Sequence, residues 1–371
     1  MRAEPIGVYV HIPFCLKKCN YCDFCSFANL SSDVRARYVS ALVEEIKSFE
    51  SEESIATDSI FFGGGTPSLL SPNEFKLIHR ALSDTFNILP SAEFTVEVNP
   101  KTVDKEKLEA FKACGVNRIS IGMQSVNENE LKKLGRIHNY SDFEEAFRLV
   151  RSVGFDNVNV DLMYGIPDQT KHSLAKTLSS LVALSPEHIS AYGLIIEEGT
   201  PFFKMKNSLP LPSEDEECDM YDLVCAYLSD NGYRHYEISN YAKIGKESRH
   251  NLKYWRCGEY IGFGVSAYSY FRGMRFGNTD SLDEYLSKNA KDYITKEAAD
   301  VAYEYVMLGL RLADGISLSE YKDRFGVDFL VGRDAKIREY IKQGYMTEKD
   351  GRLSLTERGF YVSNTILTDL L

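Results

Sequence analysis

The chain reads as an α/β protein, a partial (β/α)6 barrel followed by a smaller α+β domain. The first half alternates short β-rich runs with amphipathic helical patterns, the mark of a parallel sheet wrapped by helices. Six such units fit in about 200 residues, too few for a closed eight-fold barrel. A break in composition at Pro210-Leu211-Pro212 then divides the sequence into 1–210 and 211–371.

The strands predicted in order are Val8–Ile12, Ser59–Phe62, Phe94–Val98, Arg118–Ile121, Val158–Met163 and His188–Ile195. Several helix starts between them are explicit. Ser32-Asp33 begins a helix whose apolar residues Val34, Tyr38, Leu42 and Ile46 recur every four positions. Ser71-Pro72-Asn73-Glu74 supplies a cap, a first-turn proline and an N3 carboxylate. Ser141-Asp142-Phe143-Glu144 has the capping-box pattern ahead of an amphipathic run to Val150. Beyond the break, Ser213-Glu214-Asp215-Glu216 caps a helix to Leu228, and Tyr233 to Phe276 is aromatic and β-rich. Gly344 to Phe360 reads as a hairpin turning at Asp350-Gly351, and a helix before such a hairpin resembles a winged helix.

Bulk properties narrow the function. The 371 residues carry a net charge of −11 and 44% hydrophobic residues, an ordinary globular composition. The acidic balance counts against broad nucleic-acid binding, so no nucleic-acid partner is expected. No run of 18 apolar residues suggests a membrane span, and nothing at the N-terminus resembles an export signal. The expectation is a cytoplasmic protein with reduced cysteines and no structural disulfide.

Three thiols fall within eight residues at Cys15, Cys19 and Cys22, directly after the apolar run ending at Ile12-Pro13. Thiolates suit zinc, copper(I) or iron–sulfur clusters. Structural zinc takes four ligands, usually as two spaced pairs, and no second pair follows downstream. A 4Fe–4S cube with one iron lacking a cysteine fits the C-x3-C-x2-C spacing better; the plainer alternatives are a zinc knuckle or inert thiols. An uncapped iron can chelate an amine and a carboxylate, such as the methionine end of S-adenosylmethionine.

With Tyr21 just before the last cysteine, this motif resembles the signature of the radical S-adenosylmethionine (radical SAM) superfamily. The surrounding Tyr9-Val10-His11-Ile12-Pro13-Phe14-Cys15 is similar to the branch holding oxygen-independent coproporphyrinogen III oxidase (HemN) and the haem-chaperone (HemW) subfamily. The resemblance implies a radical SAM barrel, a HemN-like C-terminal domain, and a 4Fe–4S cluster whose open iron takes exchangeable S-adenosylmethionine.

It also implies ligand-site residues. Gly63-Gly64-Gly65-Thr66-Pro67 follows the second strand, lacks the Gly-Lys-Ser/Thr of a P-loop, and looks like the loop holding the methionine amino group; alone it is a weak signal, since glycine turns after strands are common. Glu97 ends the third strand, where the family places a nucleotide ligand. Gln124, Arg136 and Asp161 match positions that contact a second S-adenosylmethionine in the oxidase branch, although Arg136 and Asp161 alone read equally as an ion pair. Tyr9 and the backbone of Tyr21 are expected beside the cluster.

Two departures separate the branches. The oxidase pattern has a further cysteine two residues after the third, where this chain has Phe24; Cys25 is one residue out of register and reads as a plain thiol. The stretch before the first strand is short, with one basic residue, Arg2, whereas the oxidase carries an extension that helps hold porphyrin propionates. Conversely, His250-Asn251-Leu252-Lys253-Tyr254-Trp255 is similar to the H-N-x-x-Y-W motif of the haem chaperones. Imidazole is a haem ligand, so His250 is a candidate axial ligand, with a hydrogen-bonded core histidine as the plain alternative. Tyr254 and Trp255 read equally as core or as pocket wall. The resemblance implies a haem chaperone that passes haem to apo-proteins of the respiratory chain, with membrane contact only through such partners. The alternative is an oxidase using a 5′-deoxyadenosyl radical to take hydrogen from coproporphyrinogen propionates.

Overall fold

A computed structural model describes residues 4–49, 55–287 and 295–371. The six expected strands all form: β1 (Ile6–Ile12), β2 (Ala56–Gly64), β3 (Asn87–Val98), β4 (Arg118–Gln124), β5 (Val158–Tyr164) and β6 (His188–Gly193). The last ends at Gly193, short of the expected Ile195. Later strands are β7 (Arg234–Glu237), β8 (Asn240–Ala242), β9 (Tyr260–Phe263), β10 (Tyr268–Phe271), β11 (Met274–Gly277) and β12 (Thr295–Ala298). Together they make one 12-stranded sheet in the order β12-β11-β10-β9-β1-β2-β3-β4-β5-β6-β8-β7.

From β9 to β6 every neighbouring pair is parallel, so β9 adds a seventh parallel strand beside β1, with Tyr260 opposite Gly7. The outer strands on both edges are antiparallel. Strands from beyond residue 211 thus extend both ends of the barrel sheet.

The parallel strands are buried on both faces, as crossover helices require. β4 shows how the two faces divide. Ile119, Ile121 and Met123 are fully buried apolar residues, while Arg118, Ser120, Gly122 and Gln124 alternate with them and line the barrel's inner cavity. The helices are α1 (Ser32–Ser48), α2 (Pro72–Thr85), α3 (Lys105–Ala113), α4 (Glu128–Leu134), α5 (Tyr140–Ser152) and α6 (Lys171–Ala183). Tyr38, Leu42 and Ile46 of α1 are buried, as their spacing predicts.

Caps follow sequence chemistry with one correction. Ser71 and Glu74 form the expected capping box on α2, and Ser213 with Glu216 forms another on α7 (Glu214–Asp230). For α5 the cap is Asn139, not Ser141: Asn139 Oδ1 accepts from the Asp142 amide at 2.8 Å, and the Asp142 carboxylate accepts from the Asn139 amide at 2.8 Å. Asp142 can close that box from N3, so the helix starts one turn-fraction earlier than the Ser141 pattern indicates.

Among the described residues, the segment read as aromatic and β-rich contains a helix, α8 (Arg249–Trp255), capped by Ser248. Near the end, α9 (Leu318–Phe325) and α10 (Asp334–Lys342) pack by a three-stranded sheet of Ile316–Ser317, Arg352–Leu355 and Met346–Lys349, followed by α11 (Glu357–Tyr361). The hairpin turns at Asp350 and Gly351, whose φ values of 53° and 73° are those of a tight two-residue connection. This is the winged-helix-like unit.

Candidate functional site

Chemistry in parallel barrels gathers at the carboxyl ends of the strands. Here that end opens onto a cavity of about 470 Å³. Its lining includes Cys15, Cys19, Tyr21, Cys22, Gly64, Gly65, Thr66, Glu97, Gln124, Arg136 and Asp161. Of the sequence-derived candidates, Tyr9 and His250 are not part of that lining.

The cysteine loop is fixed at its base and along its length. Phe14–Cys15 pairs with Phe27–Ala28, and the Phe27 amide donates to the Pro13 carbonyl at 2.7 Å. Asn20 ties the loop to the end of α4: its amide donates to the Leu134 carbonyl at 2.9 Å and its side chain to the Lys133 carbonyl at 2.7 Å. Tyr21 packs in a small apolar cluster with Leu134, Met163, Ile166 and Phe202.

The glycines work by close approach of chain to chain. A side chain at Gly65 would meet the Phe14 carbonyl oxygen at 2.7 Å and the Ile12 carbonyl oxygen at 2.9 Å. Gly64 has φ 106°, and a Cβ there would strike the His11 ring at 2.4 Å. His11 holds the opposite wall, with Nε2 2.7 Å from the Cys25 carbonyl and Nδ1 2.9 Å from the Tyr9 hydroxyl. Tyr9 therefore supports the cluster loop through His11.

The three thiols suit an iron–sulfur cube. All eight cysteines are free. A zinc ion at about 2.3 Å from each sulfur would draw its ligand atoms to within about 4 Å of one another. Among the described residues the one trio of metal-binding side chains converging within 4.8 Å lies elsewhere in the molecule, so these three sulfurs are not all within 4.8 Å of one another, a looser arrangement than a single zinc ion draws together. Hydrogen-bond donors face the sulfurs: Thr66 Oγ1 is 3.8 Å from Cys15 Sγ, and Arg136 Nη1 is 3.6 Å from Cys19 Sγ. Burial pushes the Cys22 thiol up to about 11, so a metal must displace its proton.

The rest of the cavity matches an amino-acid nucleoside. Glu97 accepts from the Gly64 amide at 3.2 Å. Burial, with the neighbouring Asp161 carboxylate, raises it to about 8, the state of an acid waiting for a cation or hydroxyl partner. No ion pair joins Arg136 to Asp161 among the described residues. Instead Arg136 donates to Asn99 Oδ1 at 2.5 Å and to the Gly122 carbonyl at 3.0 Å, and Asp161 accepts from Asn159 at 2.7 Å. Gln124 sits after a register shift in β4 with φ 67°, an uncommon conformation for a side-chain-bearing residue and one that concentrates at binding sites.

Sequence reasoning missed Arg118, Asn99 and Asn251, which also line the cavity. Arg118 is 2% exposed and its Nε has no hydrogen-bond partner. The signal was present: a basic residue opening an otherwise apolar strand is costly unless it faces a polar interior. From the H-N-x-x-Y-W motif it is Asn251 that reaches the cavity. His250 is 1% exposed, with Nδ1 3.0 Å from Ser59 Oγ and Nε2 2.7 Å from the Tyr254 hydroxyl, and it stacks on Phe61.

A cysteine triad on a loop over a parallel barrel, beside a glycine loop and strand-end acids, defines the radical SAM class. Residues 9–181 match the family model of the Radical SAM superfamily, and 297–362 match that of the HemN C-terminal domain. The fold is similar to that of E. coli coproporphyrinogen III oxidase (HemN), with a TM-score of 0.87, 23% identity, and coverage of 99% of this chain and 90% of that one. Along its sequence the chain is 33% identical to the heme chaperone HemW of Lactococcus lactis, over 100% of this chain and 98% of the relative. It is 34% identical to that of Bacillus subtilis (97% of each chain) and 35% identical to that of Escherichia coli K12 (99% and 98%). The chain belongs to the HemW family.

Proposed function

We propose that the protein is a haem chaperone, binding haem and passing it to apo-haemoproteins, with a 4Fe–4S cluster and S-adenosylmethionine in the barrel. The observation that carries this reading is full-length similarity to HemW relatives combined with a cavity whose residues fit those two groups. When bound, the cluster supplies one-electron chemistry at an iron open to S-adenosylmethionine. Cys15, Cys19 and Cys22 would hold it. Glu97 and the Gly64–Thr66 loop would take the ammonium and hydroxyl groups of the nucleoside, and Arg136 and Gln124 would position it. Arg118 and Asp161 keep the interior polar and charge-balanced beneath.

The mouth of the cavity supports the haem half of the reading. Leu16, Phe24 and Ile195 line it at 49%, 68% and 68% exposure, an apolar rim suited to a flat macrocycle. Lys17, Lys18 and Lys101 stand on the same lining as counter-charges for propionates. Phe24 occupies the position where the oxidase pattern has its additional cysteine, which favours the chaperone over the oxidase. Ligation by His250 would require breaking its contact with Ser59 or Tyr254. We further propose respiratory-chain acceptors, a cytoplasmic setting, and a working division of the chain at residue 210. No described helix is long and apolar enough to cross a membrane.

Haem titration of anaerobically reconstituted protein, followed by transfer to an apo-haemoprotein, tests the reading. A Soret shift and transfer are expected. Protoporphyrinogen IX formed from coproporphyrinogen III with S-adenosylmethionine and reductant would reverse the ranking.

A further inference from the structure

Outside the lining of the barrel cavity, a second group of metal-binding side chains converges. Cys225 lies on α7, His235 on β7 at the sheet edge, and Glu357 opens α11; one ligand atom from each falls within 4.8 Å of the others. We propose that these three hold a single divalent cation of the zinc class, with water in the fourth position, and that the ion pins the C-terminal winged unit to the barrel's edge.

The donor set is one that zinc selects: a thiolate, an imidazole and a carboxylate, with bonds of about 2.0–2.3 Å in a tetrahedron. The atoms are already near that spacing, and Glu357, which is exposed, can close the remainder. Three separate elements supply the ligands, and Glu357 is distant in sequence from Cys225 and His235, so the convergence is a product of tertiary packing.

A second observation points at the same place. Both ring nitrogens of His235 are buried and lack a hydrogen-bond partner. Burial lowers the ring's proton affinity, and the nearby backbone of Ile238 and Glu237, outside hydrogen-bond geometry, offsets this only in part. Leaving such a buried group idle is costly, and a metal bond would offset that cost. The ring is held in plane by stacking on Tyr241 at 4.2 Å and 12°. The Tyr241 hydroxyl in turn lies 3.1 Å from Cys225 Sγ, placed to donate to a thiolate as outer-sphere partners of zinc ligands do. Cys225 is 4% exposed and Glu357 is open to solvent, so the site has a closed floor and an entry path.

The test uses full-length, cluster-loaded protein equilibrated with zinc and passed through an anaerobic desalting column, with zinc and iron both counted. One zinc per chain should remain beside unchanged iron. Glu357→Gln, at an exposed position that keeps the Thr356 cap, should weaken zinc binding about ten-fold or more, since even loss of an outer-sphere partner costs that much. Cys225→Ser should abolish retention, and added zinc should raise the melting temperature of the wild type but not of Glu357→Gln. Circular dichroism and iron content report whether each variant is folded. Failure of the wild type to retain zinc overturns the site. So does equal retention by Glu357→Gln, or retention that vanishes only with Cys22→Ser.

Discussion

The cysteine loop and the His250 helix are both conspicuous motifs, yet the structure treats them oppositely. On the loop, Lys17, Lys18, Asp23 and Phe24 are exposed, and the three thiols face a cavity. On α8, the imidazole has both nitrogens engaged, and the His250 and Arg249 amides donate to the Glu93 carboxylate at 3.1 Å each. Buried polar groups that have found partners inside the protein add to its architecture, whereas those left open at a cavity remain available to a ligand. Residue type alone does not separate the two; satisfaction of the polar atoms does.

The largest effect should separate the motif thiols from their neighbour. Cys19→Ala should reduce iron and sulfide to near background after anaerobic reconstitution, while Cys25→Ala, whose thiol contacts the Asp280 carbonyl at 3.3 Å, should keep the full complement. Equal loss in both variants would erase the distinction between cavity-facing and packed thiols.

His250→Ala comes next. It removes the contacts to Ser59 and Tyr254 and the stacking on Phe61, leaving a buried hole and two partners unmatched. Destabilisation of about 2–4 kcal/mol in urea unfolding is expected. A variant of wild-type stability that has lost its Soret shift would instead make His250 a haem ligand.

How much of this was legible follows from the distances involved. The six strands were readable because two-faced burial makes each a short apolar run between turns; Asp161 stood out as an acid inside such a run, whereas Glu97 and Gln124 were reached only through the resemblance to the radical SAM family. Strand β9 falls in the stretch read as β-rich, but its place in the parallel sheet was not legible, because it comes from pairing Tyr260 with Gly7 across most of the chain. Helix α8 spans seven residues, too short for a 3.6-residue period to declare itself among aromatics. Cap competition misled at α5, where Asn139 and Ser141 both precede a plausible N3 acid. The Cys225–His235–Glu357 trio has no local spacing signal at all, since only folding brings it together.

Gly65→Ala probes the contact between the two loops that frame the cluster. The added methyl group would lie 2.7 Å from the Phe14 carbonyl oxygen and 2.8 Å from the Pro13 carbonyl carbon, both backbone and unable to swing aside. About 1–3 kcal/mol of destabilisation is expected, with iron retention falling before global unfolding because the strain falls on the cysteine loop. An unstrained variant with normal iron would mean that the glycine loop moves independently.

The smallest effect is a pH dependence at Glu97. In the ligand-free protein its carboxyl is raised from 4.5 to about 8 by burial and by Asp161, against the opposing pull of Arg118 and of the Gly64 amide. Between those values the folded state keeps a proton that the unfolded chain has released, so stability falls as pH rises through that window. Glu97→Gln cannot titrate and should lose this slope. The cavity is open to solvent, which screens the carboxylate, so the difference between the two proteins should amount to on the order of 1 kcal/mol from about pH 5 to about pH 9. Bound S-adenosylmethionine should flatten the wild-type slope as well, because a cation beside Glu97 favours its ionised form; identical slopes with and without the ligand would place the ammonium elsewhere.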